Sequence, residues 1–392
     1  MKKIRYLDYY LLVPYLVLLA IGLVMVYSAS AYWIKNQLGM AETGILVKQA
    51  AFIVVGLFLT FIFFHLRLAI FRVPWVQALS LAVTYILLIY LVVLSHVHPE
   101  TTINGASAWI PIGPFNLQPS ELAKLVLILY LAHMFTNRQA QLLEGENSLK
   151  KLRQPIILVG GMILLVLLQP DTGGMMILSI ITFVMVASSG IASSWGLKMS
   201  GIGAFIVSVG YFIIANVRFP SLEKYYQFRR LVAVMHPFAW KAREGNQIVN
   251  SFYAINHGGL FGVGLGNSTQ KLGYLPEPYT DFILAIITEE LGVIGALVVV
   301  GLIFFLILRI LLIGIRSKNA YHSLIAYGIA TMMFIQASFN IGAVLGVLPV
   351  TGVTLPFISY GGSSLLILAM AMGIMLNISA AETKLKQEER HA

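Results

Sequence analysis

Long apolar runs constrain this chain more than any other feature of its sequence. A helix needs about 20 apolar residues to cross a bilayer, and ten segments approach or exceed that length. They cover roughly residues 9–29, 46–65, 74–96, 120–136, 155–169, 173–190, 197–216, 282–314, 321–346 and 361–380. Only 11% of the residues are charged, whereas a soluble domain carries about 25%. The sequence therefore predicts an all-α polytopic membrane protein, organised as one integral membrane domain over residues 1–392.

The distribution of lysine and arginine predicts the orientation of this domain. An even number of spans places both termini on one side of the membrane. The short loops on that side are rich in lysine and arginine, while those on the other side hold little more than Lys35 and Lys48. Because positive loops stay in the cytoplasm, we expect both termini to be cytoplasmic and the first apolar helix to remain uncleaved.

One connection, over residues 217–281, is much longer than the others, and this topology makes it extracellular. Loops of such length are usually functional or disordered. Its many tyrosine, phenylalanine and tryptophan side chains give it apolar surface to bury. We therefore predict an ordered and functional extracellular loop.

The end of this loop carries the most informative carboxylate, Asp281. A glycine-rich polar stretch passes through Pro276 and Pro278 and then enters an apolar segment containing Glu289 and Glu290. Burying an ionised side chain in hydrocarbon costs several kcal/mol, so these carboxylates need a reason. For Asp281 the alternatives are a membrane-surface catalytic group and a carboxylate stabilised by a helix N-terminus. Pairing with buried cations is the favoured interpretation for Glu289 and Glu290.

Basic residues in the same loop form a candidate anion site. Arg229, Arg230, Lys224 and Lys271 lie on the predicted face of Asp281. Such residues bind phosphate or pyrophosphate through charge-assisted hydrogen bonds. Contact with lipid headgroups explains the same pattern equally well.

A second polar cluster opens the fourth predicted span at Ser120, Glu121 and Lys124. Ser120 suits an N-cap and Glu121 suits the first helical turn. Lys124 is one turn from Glu121, which favours a local ion pair, yet it is also within reach of an anionic ligand on the outer side. For Asp171, in the tight turn between the fifth and sixth spans, a structural cap is the favoured interpretation.

The segment before the last span combines prolines with Ser359, Tyr360, Gly361 and Gly362. Non-helical backbone at membrane depth is tolerated only where it lines a cavity or is buried in protein. The two glycines could present N–H groups to an anion, or they could serve close helix packing.

Other site classes have little support in the sequence. There is no cysteine, which excludes disulfides and thiolate metal sites. The net charge of +10 follows from topology, because no basic run interleaved with aromatic residues indicates a nucleic-acid partner. Gly258, Gly262 and Gly266 repeat at the spacing of a helix-packing motif, but they lie in a loop, so we give this signal little weight.

Taken together, the motifs resemble the SEDS family (shape, elongation, division and sporulation) of bacterial cell-wall polymerases, over essentially the whole chain. The resemblance is carried by YSAS (27–30), NGASAWIPIGPFNLQPSELAK (104–124), QPDTG (169–173), YQFRRL (226–231), GLGNSTQKLGYLPEPYTDFILAIITEELG (264–292) and LPVTGVTLPFISYGGSS (348–364). Within the family, the GNS-x-QK-x-x-YLPE pattern resembles the division branch (FtsW) more than the elongation branch (RodA).

The resemblance implies a peptidoglycan glycosyltransferase that polymerises lipid II on the outer face of the cytoplasmic membrane, at the division septum for the FtsW branch. It implies Asp281 as the catalytic residue. The residues expected to contact substrate are Arg229, Arg230, Lys271, Lys124, Glu121, Gln270, Ser359, Tyr360, Gly361 and Gly362. Many relatives carry arginine where this chain has Gln227, so Gln227 is left out of the predicted site.

The resemblance also implies partners, above all a class B penicillin-binding protein transpeptidase and other membrane proteins of the divisome. No cofactor is expected, although a divalent cation (Mg²⁺ or Mn²⁺) on the substrate pyrophosphate stays open. Three alternatives remain at this point. They are an elongation-type polymerase of the lateral wall, a lipid II flippase, and a scaffold that recruits synthases.

Overall fold

The computed structural model describes residues 2–37, 41–97, 108–113, 115–143, 148–190 and 226–391, with isolated positions between these ranges. The described part contains eleven α-helices and one short β-hairpin. The helices are α1 (Tyr9–Gln37), α2 (Gly44–His65), α3 (Pro74–Val97), α4 (Pro119–Leu143), α5 (Ser148–Leu168), α6 (Thr172–Ala187), α7 (Tyr226–Met235), α8 (Asn246–Gly258), α9 (Ile283–Arg316), α10 (Ala320–Val344) and α11 (Gly362–His391). The hairpin pairs β1 (Ile110–Ile112) with β2 (Phe115–Leu117).

Nine of these helices coincide with predicted spans, which confirms the polytopic all-helical prediction. Helices α1, α2, α3, α9, α10 and α11 are long and apolar enough to cross a membrane, and α5 and α6 are shorter apolar helices. Helix α4 is less apolar because polar residues occur at both of its ends, and its middle is mostly buried by the rest of the protein. The predicted span 197–216 and the first part of the long loop, 217–225, lie outside the described residues.

The predicted span over 282–314 corresponds to helix α9, which has a break near its start. Helix α9 is broken at Gly292, whose φ of 73° and ψ of 175° are not helical. Such backbone angles are accessible almost only to glycine. The half-helix Ile283–Leu291 is nearly fully buried within the protein, and the lipid-facing part of α9 begins after the break.

The two ends of the chain meet on one face of the bundle. At the start of α1, Asp8 accepts hydrogen bonds from Arg309 Nη2 of α9 at 2.8 Å and from Ser379 Oγ of α11 at 2.7 Å. Farther along α11, Lys318 and Glu389 form an ion pair at 2.8 Å. The described ends of the chain therefore lie on the same face of the bundle.

The opposite face of the bundle is shaped by loops that fold over the helix ends. Helices α4, α6 and α10 pack on one another in the interior, and α11 packs along α2. The β-hairpin is tied to the first turn of α11, because Ser363 Oγ donates to the Asn116 carbonyl at 2.8 Å and accepts from Gln118 N at 3.0 Å. This arrangement leaves a polar space between the hairpin, the interior helices and α11.

Candidate active site

That polar space is a cavity of about 420 Å³ on the face opposite the chain termini. Three α-helices begin at its wall, namely α4 after Gln118, α6 at Thr172 and α11 at Gly362. The unpaired N–H groups at a helix start carry partial positive charge. The start of α6 is capped by the Asp171 carboxylate, which accepts from Gly174 N at 2.7 Å, so the starts of α4 and α11 are the ones that suit the cavity to an anionic group.

Asp281 lies in this cavity on a turn whose backbone is held at three successive carbonyls. The Tyr279 carbonyl accepts from Tyr360 N at 2.9 Å, the Thr280 carbonyl from Ser359 Oγ at 2.6 Å, and the Asp281 carbonyl from Asn340 Nδ2 at 2.8 Å. The turn is therefore fixed to α10 and to the segment before α11. The Asp281 carboxylate keeps partial access to the cavity.

The helix-start explanation for Asp281 is not supported by its geometry. Helix α9 begins at Ile283 after Phe282, and no side chain caps it. Among the described residues, no hydrogen bond to the Asp281 carboxylate is found. Instead, a Cβ placed on Gly352 would lie 3.8 Å from Asp281 Oδ2, so the carboxylate faces the 349–352 segment across the cavity.

The surroundings of Asp281 change its acidity. Burial, and to a lesser extent the negative charge of Glu277, raise the pKa of Asp281 to about 7, although the Arg230 guanidinium lowers it. Near neutral pH, Asp281 exchanges between its protonated and ionised forms, which suits a group that accepts a proton during turnover.

The two arginines of α7 face different surroundings. Arg230 lines the cavity, and its Nη1 donates to the Val350 carbonyl at 2.7 Å. Arg229 points to Glu244, with which it forms an ion pair. Arg230 is thus placed to meet a ligand in the cavity, while Arg229 holds α7 to the segment that precedes α8. Lys224 lies outside the described residues.

Lys271 is a buried structural cation rather than a cavity residue. Its Nζ lies 2.7 Å from Glu290 Oε1 and 3.0 Å from Ser28 Oγ of α1. The main chain of Gln270 donates to Glu289 Oε2 at 3.3 Å, and the Gln270 side-chain oxygen is buried. Neither Lys271 nor Gln270 is part of the cavity wall, and both fix the loop ahead of Asp281.

Glu289 adds further buried hydrogen bonds to the same loop. Its carboxylate accepts hydrogen bonds from Thr269 N at 3.0 Å, Thr269 Oγ1 at 2.9 Å, Ser268 Oγ and His257 Nδ1. The expected partner for Glu290 was a buried cation, and Lys271 supplies it. Glu289 is instead satisfied mainly by hydroxyl and amide donors.

Glu121 and Lys124 form the local ion pair that their spacing suggests. Lys124 Nζ lies 2.7 Å from Glu121 Oε2, and the lysine is almost completely buried. Neither residue lines the cavity. Asp171 does line it, but both of its oxygens are engaged, since Oδ1 accepts from Gly174 N at 2.7 Å and Oδ2 from Ser120 Oγ at 2.8 Å. Asp171 is the N-cap of α6.

Some of the residues around the start of α11 line the cavity, and others hold the neighbouring backbone in place. Tyr360, Gly361 and Gly362 line the cavity, whereas Ser359 is buried and binds backbone. Both interpretations of the glycines have a basis in the geometry. A Cβ on Gly362 would lie 2.5 Å from Phe52 Cζ, so a larger residue there would displace the Phe52 ring, while the same glycine begins α11 at the cavity wall.

Several cavity residues were missed by sequence reasoning. They are Lys48 and Phe52 of α2, Trp109 and Phe115 of the hairpin, Gln227, and Glu277. Gln227 was left out because it departs from the usual arginine, although its position in α7 next to Arg230 could have placed it. Glu277 has a positive φ of 53°, and its place between Pro276 and Pro278 was the available signal.

The fold and the cavity define a polytopic membrane protein with a carboxylate and a guanidinium in a polar site at one membrane face. A model of the FtsW/RodA/SpoVE family, described as cell cycle proteins, matches residues 9–384. The chain therefore belongs to the FtsW/RodA/SpoVE family.

Relatives of known name are similar over nearly their full lengths. The probable peptidoglycan glycosyltransferase FtsW of Lactococcus lactis is 36% identical, covering 99% of this chain and 96% of the relative. The stage V sporulation protein E of Bacillus subtilis is also 36% identical, covering 95% and 96%.

Solved structures agree with the fold. A chain in a peptidoglycan synthase complex that coordinates polymerization and crosslinking superimposes with a TM-score of 0.73 at 26% identity, covering 96% of this chain and 98% of that chain. The rod shape determining protein RodA of Thermus thermophilus gives a TM-score of 0.65 at 26% identity, covering 96% and 97%.

Proposed function

We propose that this chain is a peptidoglycan glycosyltransferase of the FtsW branch that polymerises lipid II, with Asp281 as the general base. One observation carries the proposal: a carboxylate with a raised pKa lies in a polar cavity beside Arg230 and the starts of α4 and α11. Family membership and full-length similarity to relatives named probable peptidoglycan glycosyltransferase FtsW support the same reaction.

The reaction assigns a definite task to the carboxylate. The 4-hydroxyl of the acceptor sugar attacks C1 of the donor sugar, and the bond from C1 to the undecaprenyl pyrophosphate oxygen breaks with inversion. Ionised Asp281 takes the proton of the attacking hydroxyl as the new C1–O bond forms. A positioned general base of this kind contributes about 10²–10⁴-fold to the rate.

The opposite charge in the cavity serves the leaving group. Negative charge grows on the pyrophosphate as its bond to C1 breaks, and fixed positive groups stabilise that charge without reorganising. We assign this role to Arg230 together with the helix start at Gly362. Arg229, Lys124 and Lys271 support the site through their own ion pairs.

A divalent cation, which the sequence left open, would enter with the substrate. The described residues contain no group of three or more histidine or acidic side chains able to hold a metal ion. Asp171 uses both of its oxygens for protein contacts. If Mg²⁺ or Mn²⁺ binds, the described residues would supply at most one or two carboxylates and the pyrophosphate oxygens would supply further ligands; the steps above do not depend on it.

We extend the proposal to partners and location. A similar chain belongs to a peptidoglycan synthase complex that coordinates polymerization and crosslinking, which supports a crosslinking partner, and we propose a class B penicillin-binding protein transpeptidase. The other proposed partners, divisome membrane proteins at the septum, follow from the FtsW-branch proposal. We also propose that the termini are cytoplasmic. A cysteine introduced at Asn267 should then react with a membrane-impermeant thiol reagent on intact cells, and one at Lys318 should not; the reverse would invert the topology.

The activity is tested with purified protein and labelled lipid II. The wild-type protein should produce a ladder of glycan strands, and an Asp281→Asn variant that is equally folded should not. Translocation of lipid II across vesicles without any ladder would replace the proposal by a flippase. Neither activity in a folded protein, even with its partner present, would indicate a scaffold.

A further inference from the structure

The loop segment 259–265 has several large apolar side chains that the rest of the protein leaves exposed. Phe261 is 81% exposed and Leu260 is 62% exposed, and Leu265 is also exposed. No charged residue occurs from Gly258 to Gln270. A contiguous exposed apolar patch of this kind marks a surface that is covered by something other than water.

The position of this segment is fixed by backbone hydrogen bonds to the break in α9. Val293 N donates to the Gly259 carbonyl at 2.9 Å and Ile294 N to the Leu260 carbonyl at 3.3 Å. On the other side of the break, Val263 N donates to the Glu289 carbonyl at 3.0 Å. Phe261 is therefore held at the level of Ile294 along α9.

The backbone of segment 259–265 lies so close to the backbone of α9 that glycine is needed at the contact. A Cβ on Gly262 would lie 2.2 Å from the Glu290 carbonyl oxygen, and one on Gly292 would lie 2.2 Å from the Leu260 carbonyl oxygen. The glycine spacing at Gly258 and Gly262, to which we gave little weight, serves this contact. The exposed side chains thus project from a rigid base.

The lipid-facing stripe of α9 sets the depth of the segment in the membrane. Its exposed apolar residues run from one end of the membrane-crossing part to the other and are Ile294, Leu297, Val298, Phe305, Leu308, Leu312 and Ile315. At 1.5 Å per residue, Ile294 and Ile315 are about 32 Å apart, close to the roughly 30 Å of bilayer hydrocarbon. Ile294 thus marks the edge of the hydrocarbon on the cavity side.

We propose that residues 259–265 form a membrane wedge, with Leu260, Phe261 and Leu265 inserted among the lipid acyl chains of the cavity-side leaflet. The surface is continuous with the lipid-facing stripe of α9 and lies at the same level as its end. Because the wedge is bonded to the half-helix Ile283–Leu291, it anchors to the bilayer the segment that follows Asp281. The wedge rests on the fold and does not depend on the reaction.

The absence of native cysteine makes a direct depth measurement possible. Phe261→Cys and, separately, Leu260→Cys are labelled with the environment-sensitive dye NBD and reconstituted in vesicles of phosphatidylethanolamine and phosphatidylglycerol. Quenching is measured with aqueous iodide and with lipids carrying a nitroxide near the top of the acyl chain. Leu297→Cys on the lipid-facing stripe and Asn267→Cys in the polar part of the loop are matched controls.

The wedge predicts that labels at Phe261 and Leu260 resemble the label at Leu297. Iodide quenching should be at least about threefold weaker than at Asn267, and the acyl-chain nitroxide should quench strongly. Iodide quenching equal to that at Asn267 would overturn the proposal. Protection from both quenchers would also overturn it, because a second copy of the chain would then cover the surface in place of lipid.

Discussion

Asp281 and the pair Glu289 and Glu290 are separated by only eight or nine residues, yet their surroundings differ completely. Glu289 is held by His257, Ser268 and Thr269, and Glu290 is held by Ser28 and Lys271. Within the described part of the chain, the Asp281 carboxylate accepts no hydrogen bond and faces the cavity. Because Glu289 and Glu290 are fully hydrogen-bonded, they stabilise the loop. The Asp281 carboxylate has no such partners among the residues that the structure describes, so it is available to accept a proton.

The largest effect should come from removing the basicity of Asp281. Asp281→Asn keeps the size of the side chain, so folding should be preserved, while polymerisation of lipid II should fall by about 10²–10⁴-fold. The measurement is the initial rate of glycan formation. Asp281→Glu should also be poor, because an extra methylene displaces the base. A near wild-type rate for Asp281→Asn would remove the distinction between Asp281 and its buried neighbours.

Breaking the buried ion pair between Lys271 and Glu290 should lower the stability of the folded protein rather than its activity directly. Lys271→Met leaves Glu290 buried without its cation, and loss of one partner of a buried pair costs about 3–5 kcal/mol. The double variant Lys271→Met, Glu290→Gln removes both charges and should recover much of this loss. Thermal unfolding in detergent measures both. If Lys271→Met is as stable as the wild type but fails to use lipid II, Lys271 belongs to the substrate site.

The two arginines of α7 should also differ in their effect on the use of lipid II. Arg230→Ala removes a charge-assisted contact worth about 1.5–3 kcal/mol, so kcat/KM should fall by about 10-fold to 150-fold, with partial recovery at high lipid II. Arg229→Ala is the matched control, since its side chain meets Glu244, and it should have the smaller effect on kcat/KM. Equal losses would show that both arginines act on the substrate.

The smallest effect is expected at Glu277. Its negative charge raises the pKa of Asp281, so Glu277→Gln should lower that pKa. Because the ionised form is the active base, the acidic limb of the rate profile should then move to lower pH. Arg230 opposes Glu277, and Asp171 and Lys48 share the cavity wall, so all three must be unchanged in this comparison. A shift to higher pH would contradict the assigned direction.

Sequence reasoning succeeded where one local pattern decides the outcome. Span-length apolar runs gave nine of the described helices, and the spacing of Glu121 and Lys124 gave their ion pair. Asp281, which stands where the polar loop meets apolar sequence, lines the cavity, and its role as the general base stays a prediction. Asp171 was identified as a cap because it precedes a helix in a tight turn.

The rest depended on contacts between distant segments. Lys271 and Arg230 are both basic residues of one loop, and only the tertiary fold shows that one meets Glu290 while the other lines the cavity. The break at Gly292 was missed, because an apolar run does not reveal a glycine with a positive φ. Lys48 and Trp109 could not be placed in the site from sequence, because α2 and the segment around the hairpin are distant in the chain from Asp281.

The most direct test of the central claim is the pH dependence of kcat/KM for lipid II polymerisation. Since the pKa of Asp281 is raised to about 7, the ionised base is lost as the pH falls through that value. The account predicts a plateau above about pH 8 and a value about tenfold lower at pH 6, as expected for one essential carboxylate. The residual activity of Asp281→Asn should lack this inflection. A flat profile between pH 5.5 and 8.5, or an unchanged inflection in Asp281→Asn, would contradict Asp281 as the general base.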